Sequence, residues 1–466
     1  MDPDDVNLLQ EIWAAIGGAP EQLGPVAVSG PRTVLPAITD VTGLAAATVA
    51  AAGLAAATTL AVRRGSAVPV VAVDRRAASA AFASERLLAP HGWTLPPAWD
   101  PVAGDYQAAD GWIRLHTNYS YHRAAVARVL GDAEDRDSVA ARVARWPAVD
   151  LESAVVAAGG AAAVMHDRDE WVATEAGAAA AAEPVARIEV TPEAASTAAH
   201  DRGGSIVDVK PYTGVRVLDL TRVIAGPVAT RFLAGYGADV LRIDPPGFAE
   251  VPALLPDTTV GKRCAWLDLT TVDGRQRFEA LVASADVLVC GLRPGALDRL
   301  GFDTAALRER NPSLIIAALD AYGWEGPWRD RRGFDSLVQM SCGIAAAGAA
   351  AAGADQPVPL PVQALDHATG YLLAAAIGLA LARRFAEGST TQIRTSLAGT
   401  ANLLLRLAAP DGTIGDSSPE WTDSDTELAV TAWGLARRVP FPVHIHGVRA
   451  SWDLPAGPLG RHEPTW

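Results

Sequence analysis

Between residues 215 and 320, strand-like runs alternate with helical patterns, and no other feature of the chain constrains its fold as strongly. The strand-like runs are VRVLDL, DVLRID, CAWLDL, DVLVC and SLIIAALDAYG, and amphipathic or turn-rich segments separate them. Such alternation is typical of a parallel, doubly wound sheet. We therefore predict an α/β fold. Ligands of such sheets bind beyond the carboxyl ends of the strands, where the loops TRVIAGP, GLRPG and AYGWEGP lie.

The 466-residue chain is too long for one simple core, and its first half is less regular than its second. We expect the doubly wound sheet to be accompanied by a second, smaller α+β domain. The predicted units are a helical and linker segment at 1–95, the small α+β domain at 96–195, a linker at 196–213, a Rossmann-like core at 214–410 and a C-terminal return segment at 411–466.

The net charge of −14 argues against nucleic acid or an anionic membrane as the main partner. Three scattered cysteines, Cys264, Cys290 and Cys342, show neither disulfide nor zinc spacing, so we expect no metal site and a cytoplasmic location. Residues 43–62 are long enough to span a membrane, but their alanines and threonines give little transfer free energy. Because we identify no second candidate membrane span, we predict a buried helix.

Two segments of the chain resemble each other weakly. One starts at Leu35 and the other at Leu360, and each has an aspartate, then Thr-Gly, then a small-residue helix that contains Arg-Arg near its end. Asp40 and Asp366 are therefore rival candidates for chemistry at a helix start. Each could equally be a helix cap, since aspartate is a preferred capping residue.

The first strand-loop-helix unit also invites a dinucleotide-binding interpretation. The Gly-x-Gly-x-x-Gly loop is absent, however, and Ile224-Ala225-Gly226-Pro227 stands in its place. Pro227 has no N–H to offer a pyrophosphate. We therefore disfavour a nicotinamide or flavin cofactor.

A longer series of motifs is similar to the class III CoA-transferases, the CaiB/BaiF family. The resemblance runs through GVRVLDLTRVIAGPVATRFLAGYGADVLRIDPPG, GKRCAWLDL, ADVLVCGLRPGALDRLGFD, RRGFDSLVQMSCGI and LDHATGYLLAAAIGLALARR, and returns in PLGRH. Segments of the first half, such as DGWIRLHTNYSYHRAAVARVLG, resemble parts that normally come later in the family. The resemblance therefore implies a rearranged domain order.

The resemblance implies that Asp366 is a covalent nucleophile. In the family, an aspartate at the head of the corresponding helix carries acyl and CoA groups, and Asp366 holds that position here. An ionised carboxylate can attack a thioester and release a CoA thiolate, without any metal or permanently bound cofactor. Backbone N–H groups at the helix start could stabilise the oxyanion. For Asp40, with fewer neighbouring matches, we expect a capping role.

The resemblance also implies CoA contacts, with coenzyme A as co-substrate. Guanidinium groups pair with phosphates and stack on adenine, so arginines in the matching motifs are natural ligands. The loops at the strand ends add further candidates. The predicted set is Arg293, Lys262, Gly226, Ala225, Arg299 and Tyr322.

Other polar side chains leave alternatives open. Racemases of the family place a histidine where Phe334 stands, which favours a transferase, and we expect His367 to be a helix-start side chain. His116 and His122 could face the active site, although a structural hydrogen-bonded cluster is the preferred interpretation. An arginine group could bind a substrate carboxylate or form a solvated turn; its members are Arg329, Arg331 and Arg332.

The predicted function is CoA transfer between an acyl-CoA and a free carboxylic acid. The alternatives are a non-catalytic acyl-CoA-binding homologue and an acyl-CoA racemase or isomerase. Expected partners are small molecules, with no nucleic acid and no membrane. Because family members form interlocked rings, we expect a homodimer.

Overall fold

The computed structural model describes residues 3–132, 135–192, 210–410 and 420–466. Most of the predicted linker at 196–213 therefore lies outside the described residues. The first segment contains a long helix that begins after Asp40, with shorter helices and strands around it. Its elements are α1 (Pro3–Ala15), β1 (Val26–Ser29), α2 (Val41–Arg64), β2 (Val71–Asp74), α3 (Arg75–Ala81), α4 (Ser84–Leu87) and β3 (Ala89–His91).

The next segment holds a small sheet covered by helices, and its own hydrophobic cluster is built around Ile113, Leu115 and Leu151. Its strands pair antiparallel in the order β4-β5-β6. The elements are β4 (Gly104–Gln107), β5 (Trp112–Leu115), α5 (Ser120–Leu130), α6 (Arg136–Val143), α7 (Ala148–Ala157), β6 (Ala162–Val164), α8 (Arg168–Ala173), α9 (Glu175–Ala181) and β7 (Arg187–Thr191).

The second half carries the predicted alternation of strands and helices. Its elements are β8 (Arg216–Leu220), α10 (Ala225–Gly235), β9 (Asp239–Asp244), α11 (Leu255–Thr258), β10 (Lys262–Trp266), α12 (Val272–Ser284), β11 (Val287–Cys290), α13 (Thr304–Arg310), β12 (Ile315–Asp320), α14 (Asp335–Ser341), α15 (Ile344–Ala352), α16 (Ala364–Glu387), β13 (Thr390–Ser396) and α17 (Leu397–Leu404). The chain returns through β14 (Glu427–Thr431), β15 (Gly434–Arg438) and β16 (Val443–Ile445).

A seven-stranded sheet forms the centre, in the order β10-β9-β8-β11-β12-β13-β7. Six of its strands run parallel, and β7 from the first half pairs antiparallel with β13 at one edge. The predicted α/β fold with a doubly wound parallel sheet is thus confirmed. The strand order reverses between β8 and β11, so the loops after these two strands diverge and leave a crevice at the sheet's carboxyl edge.

Two helices of 24 residues each, α2 and α16, pack along each other. They are the helices of the two weakly similar segments that start at Leu35 and Leu360. Small side chains allow close approach, and the Thr59 hydroxyl of α2 donates to the Gly378 carbonyl of α16 at 2.8 Å. Each helix ends at a glycine with positive φ, Gly65 at 59° and Gly388 at 69°. Left-handed glycines are common at helix C-termini because they lack a Cβ.

Both helices are long and apolar enough to cross a membrane, so the expectation that residues 43–62 have no second counterpart was wrong. Burial in the rest of the chain covers 94% of the apolar window of α2 and all of that of α16. The prediction of a buried helix at residues 43–62 is confirmed.

Candidate functional site

A cavity of about 330 Å³ lies at the carboxyl edge of the central sheet, where the strand order reverses. Its floor and walls come from the loops after β8, β11 and β12. The start of α16 and the start of α5 close two further sides, so both halves of the chain contribute. The lining includes Arg222, Val223, Ala225, Arg293, Asp320, Arg331, Arg332, Phe334, Asp366, Tyr119, Tyr121 and His122.

Asp366 lies in the first turn of α16 and is 8% exposed, with its side chain on the cavity wall. Its backbone N–H donates to Asp335 Oδ2 at 2.9 Å, which fixes the start of the helix. Among the described residues, no donor binds the Asp366 carboxylate. The capping interpretation therefore fails for Asp366, because a cap accepts a backbone N–H and this carboxylate accepts none.

Asp40, the rival aspartate, has the opposite role. Its Oδ1 accepts the Gly43 N–H at 2.7 Å, and Asp40 caps the N-terminus of α2. It does not line the cavity that holds Asp366. The two similar segments thus each form a long helix, but their aspartates have different roles.

Three carboxyl groups surround the start of α16. Burial first, and then the charges of Asp335 and Glu85, raise the pKa of Asp366 well above its ordinary value. Burial likewise raises the pKa of Asp335 to about 6, although hydrogen bonds from the backbone of Asp366 and the amide of Gln339 oppose the change. Perturbed carboxyls in a crevice are characteristic of functional sites.

The N–H groups at the start of α16 do not face an oxyanion on Asp366. Those of Leu365 and Asp366 are directed to the Asp335 carboxylate. The His367 N–H donates to the Gln363 carbonyl at 3.1 Å, within the helix turn. The helix start therefore gives no support to the predicted oxyanion role, because its first donors are already engaged.

Four guanidinium groups line the cavity, and they differ in how far they are already paired. Arg222 contacts Asp244 at 3.4 Å and lies 3.7 Å from the Phe248 ring centroid. Arg331 binds Glu152 at 2.9 Å. Within the described residues, Arg293 and Arg332 form no ion pair with a carboxylate.

A second cavity of about 450 Å³ adjoins the first and shares Leu292, Arg293, Pro294 and Ala296 with it. Arg299, one of the predicted CoA contacts, lines this second cavity. Its lining also includes the aromatic and basic residues Trp324, Phe302, Arg329 and Arg394. The predicted pair Arg293 and Arg299 thus lie on connected cavities, with Arg293 at the junction.

Lys262 does not reach either cavity. It is fully buried on β10, where its Nζ binds Asp219 Oδ2 at 3.0 Å and the Pro227 carbonyl at 3.2 Å. Its ammonium group is therefore paired with Asp219 of β8 in the protein interior and is not available to a ligand. This geometry supports a role in holding α10 against the sheet rather than direct contact with a ligand.

Of the three remaining predicted CoA contacts, one lines a cavity and two do not. Ala225 lines the first cavity, whereas Gly226 is buried and lets α10 approach Thr221, since a Cβ on it would lie 2.2 Å from the Thr221 side chain. Tyr322 is 2% exposed and outside both cavities, with its hydroxyl 3.3 Å from that of Ser341. Glycine at 226 is a packing requirement.

The two histidines of the small domain lie against Phe334. His116 stacks on the Phe334 ring with centroids 3.6 Å apart, and the His122 ring lies 5.7 Å from it in a T-shaped arrangement. Both ring nitrogens of His122 are buried without a hydrogen-bond partner in the described part of the chain. For His122 the expected structural hydrogen-bonded cluster is therefore wrong.

His367 faces away from this group. Its Nε2 lies 2.9 Å from Glu85 Oε2, and its ring stacks on Phe82 at 5.4 Å between centroids. The helix-start role predicted for it agrees with this position. Glu85 comes from α4 and could not have been linked to Asp366 by sequence spacing.

The loop after β8 contains a strained residue. Val223 has φ of 63°, which is unusual for a β-branched side chain, and its N–H donates to Glu250 Oε2 at 3.1 Å. Glu250 is buried and also binds Arg242 and the Tyr119 hydroxyl, at 3.0 and 2.7 Å. This network connects the loop to the small domain at the cavity.

Sequence reasoning missed two polar residues of the cavity, Asp320 and Arg222, and also Asp335, whose carboxylate accepts the Asp366 N–H. Asp320 ends β12, and burial raises its pKa to about 8. Arg222, Asp320 and Asp335 all lie within the motifs quoted above, at the ends of strands or the start of a helix, and these positions were the available signal. No cluster of potential metal ligands occurs among the described residues.

The fold and cavity define an α/β ligand-binding core in which a buried aspartate faces an arginine-lined crevice. Residues 212–431 match the family model of CoA-transferase family III. This part of the chain is therefore similar to CoA-transferase family III. The family prediction made from the sequence motifs is confirmed for it, and α1–α9 lie outside the matched residues.

The relatives cover only part of the chain. It is 33% identical over 250 residues, 53% of its length, to an acetyl-coenzyme A transferase of Hypoxylon pulicicidum, of which 40% is covered. A probable fatty acyl-CoA transferase of Mycobacterium tuberculosis is 34% identical over 201 residues, 40% of this chain and 50% of that protein. A solved structure of a Mycobacterium tuberculosis protein matches at 33% identity with a TM-score of 0.38, over 43% of this chain and 58% of that one. The chain spans about half the length of the curated relatives it matches.

Proposed function

We propose that this protein is a CoA-transferase that moves CoA between an acyl-CoA and a free carboxylic acid through a covalent intermediate on Asp366. The observation that carries the proposal is the position of Asp366. Its carboxylate lines the first cavity and accepts no hydrogen bond from the described residues. The backbone N–H of Asp366 donates to the Asp335 carboxylate, which holds the start of α16 in place. A side chain fixed in this way is oriented for attack without being engaged elsewhere.

The reaction balances without an added oxidant, reductant or nucleotide. A carboxylate oxygen of Asp366 attacks the thioester carbonyl, the C–S bond breaks, and a mixed anhydride and CoA thiolate form. The thiolate then attacks the aspartyl carbonyl and releases the first acid, leaving an enzyme-CoA thioester. The carboxylate of a second acid attacks this thioester, the C–S bond breaks, and a second mixed anhydride and CoA thiolate form. The thiolate attacks the carbonyl of the second acid, which gives the new acyl-CoA and releases Asp366 as a carboxylate.

The cations of the two cavities support an anionic co-substrate. Arg293 is exposed at the junction, and Arg299 lies on the second cavity beside Trp324 and Arg394. Guanidinium groups bind phosphates, and both guanidinium and indole groups stack on bases. We place the nucleotide part of CoA on this second cavity and the thioester at Asp366. A homodimer and a cytoplasmic location stay predictions.

Trapping of the covalent intermediate tests the proposal. The wild-type protein and Asp366→Ala are incubated with acetyl-CoA, treated with hydroxylamine, and digested for mass spectrometry. We expect a hydroxamate on the peptide that contains Asp366 in the wild type only. We also expect thioester exchange to fall by about 1000-fold or more in the variant.

Asp40→Ala is the matched control, because Asp40 begins the equivalent helix and only caps it. This variant should retain the hydroxamate and the exchange rate. An unmodified Asp366 peptide with CoA still bound would instead establish a binding protein. Solvent deuterium incorporation at the α-carbon of the acyl group would establish a racemase.

A further inference from the structure

His122 is a polar side chain on the cavity wall that the proposed transfer does not use. It is 1% exposed, it lines the cavity, and neither of its ring nitrogens has a hydrogen-bond partner among the described residues. A buried imidazole without a partner loses its hydrogen bonds to water and gains none in return, which is unfavourable. A ligand group that completes those bonds would remove this cost.

The surroundings of His122 are aromatic on three sides. The ring centroids of Tyr121, Tyr119 and Phe334 lie 4.4, 5.6 and 5.7 Å from that of His122, in T-shaped contacts. These rings pack against the imidazole, which is buried. They offer no hydrogen-bond partner to its nitrogens, since the Tyr119 hydroxyl donates to Glu250.

The charge next to His122 is positive. Burial first, and then Arg332 and Arg293, lower the pKa of His122 to about 3, so the imidazole is neutral and keeps one N–H. Burial and Arg293 also lower the pKa of Arg332. Arg332 donates to the Gly159 carbonyl at 2.8 Å but pairs with no carboxylate among the described residues. Two guanidinium groups, those of Arg293 and Arg332, therefore line the cavity near His122 without forming an ion pair with a carboxylate of the described residues.

We propose that His122 and Arg332 form a recognition site for a second anionic group on the transferred acid, so that the protein selects dicarboxylic over monocarboxylic acids. The neutral imidazole donates its N–H to one carboxylate oxygen, and the guanidinium supplies the compensating charge. Arg293, at the junction of the two cavities, adds to the positive field. This inference rests on the proposed transfer reaction, because it assigns one carboxyl of the acid to Asp366 and the other to this site.

Binding of matched acids tests the site without any turnover. Malonate, succinate, glutarate and adipate are each titrated against the monocarboxylic acid of equal carbon number by calorimetry, with CoA present. For the wild type we expect one dicarboxylate to bind at least about tenfold more tightly than its monocarboxylate partner. Equal binding within all four pairs would overturn the inference.

Variants then locate the effect. His122→Phe keeps a ring among the surrounding aromatic side chains and removes the N–H donor, and Arg332→Gln removes the positive charge. Each variant should abolish the preference for the dicarboxylate while leaving monocarboxylate binding within about twofold. His122→Gln, which keeps an N–H donor, should restore part of it. His116→Phe is the control and should keep the preference, because His116 stacks on the Phe334 ring without lining the cavity. A dicarboxylate preference that survives in His122→Phe would overturn the inference.

Nuclear magnetic resonance of the histidine ring nitrogens separates recognition from a structural role. On addition of the preferred dicarboxylate, the His122 pKa should rise and its nitrogen signals should move, whereas those of His116 should stay. Failure of the proposed function would appear differently, as absence of the hydroxamate on Asp366 while the dicarboxylate preference persists.

Discussion

At the scale of single residues, Asp366 shows how position changes the chemistry of a carboxyl group. Burial, together with the charges of Asp335 and Glu85, disfavours its ionised form. A carboxyl that ionises at a higher pH is a more basic nucleophile once it has lost its proton. The same crowding of charge costs stability, and that cost is measurable.

Asp366→Asn should stabilise the fold at neutral pH while abolishing transfer. In the unfolded chain the carboxyl ionises in the usual carboxylate range, and in the fold it ionises at higher pH. Between those two values the unfolded chain holds fewer protons, so stability falls as pH rises, and above the folded pKa the loss remains. Asparagine carries no such loss. We expect a gain of about 1–2 kcal/mol at neutral pH and none below the usual carboxylate range.

Thermal unfolding followed by calorimetry across pH measures this effect. Asp303→Asn is the matched control, since Asp303 is an exposed cap whose Oδ1 accepts the Ala306 N–H at 2.8 Å. Its substitution should change stability by less than about 0.5 kcal/mol. A lower unfolding temperature for Asp366→Asn at neutral pH would contradict the electrostatic account.

At the scale of elements, the pairing of α2 with α16 depends on side chains that are small. A Cβ on Gly378 would lie 2.4 Å from the Tyr212 hydroxyl and 2.9 Å from the Ala55 Cβ. A larger side chain at position 378 must therefore push α2 and α16 apart. Because α16 begins at Asp366, a shift of its axis would also move the nucleophile.

Gly378→Leu should therefore destabilise the protein by about 1–3 kcal/mol or more through overpacking. We expect a lower midpoint of thermal unfolding and a reduced transfer rate. Ala347→Leu, on the exposed face of α15, is the control and should change stability by less than about 0.5 kcal/mol. Tolerance of leucine at 378 without loss of stability would show that the helices do not pack as described.

At the scale of the whole molecule, the two halves of the chain form one hydrophobic core. The largest cluster of buried side chains contains residues of α1 and α2 together with residues of α10, α16 and the central sheet. In addition, β7 completes the edge of that sheet beside β13. The family-matched segment therefore depends on material that precedes it in the chain.

A fragment of residues 210–466 should not fold alone, because it lacks α2 and leaves the buried face of α16 exposed. We expect it to aggregate or to lose its near-ultraviolet circular dichroism. Co-expression with residues 1–192 should restore a cooperative unfolding transition and transfer activity. A stable, active 210–466 fragment would contradict this dependence.

Sequence patterns predicted the sheet well because they report local periodicity. Each of the five strand-like runs between residues 215 and 323 overlaps a strand of the central sheet, and the aspartate at the head of the apolar helix lies on the cavity. The same patterns could not assign Lys262, whose partner Asp219 lies on a different strand. Nor could they connect Glu85 or His122 to the site, because neither is near Asp366 in sequence.

The amino-acid sequence by itself determined the order of strands and helices, the glycines that end α2 and α16, and the position of the crevice at the carboxyl edge of the sheet. These follow from periodicity, backbone conformation and connection rules, which act over short distances along the chain. Only the tertiary structure decided which aspartate caps and which one faces the cavity, and which arginines remain without a carboxylate. Burial and pairing decide these properties, and both depend on residues that are remote in sequence and meet only when the chain has folded.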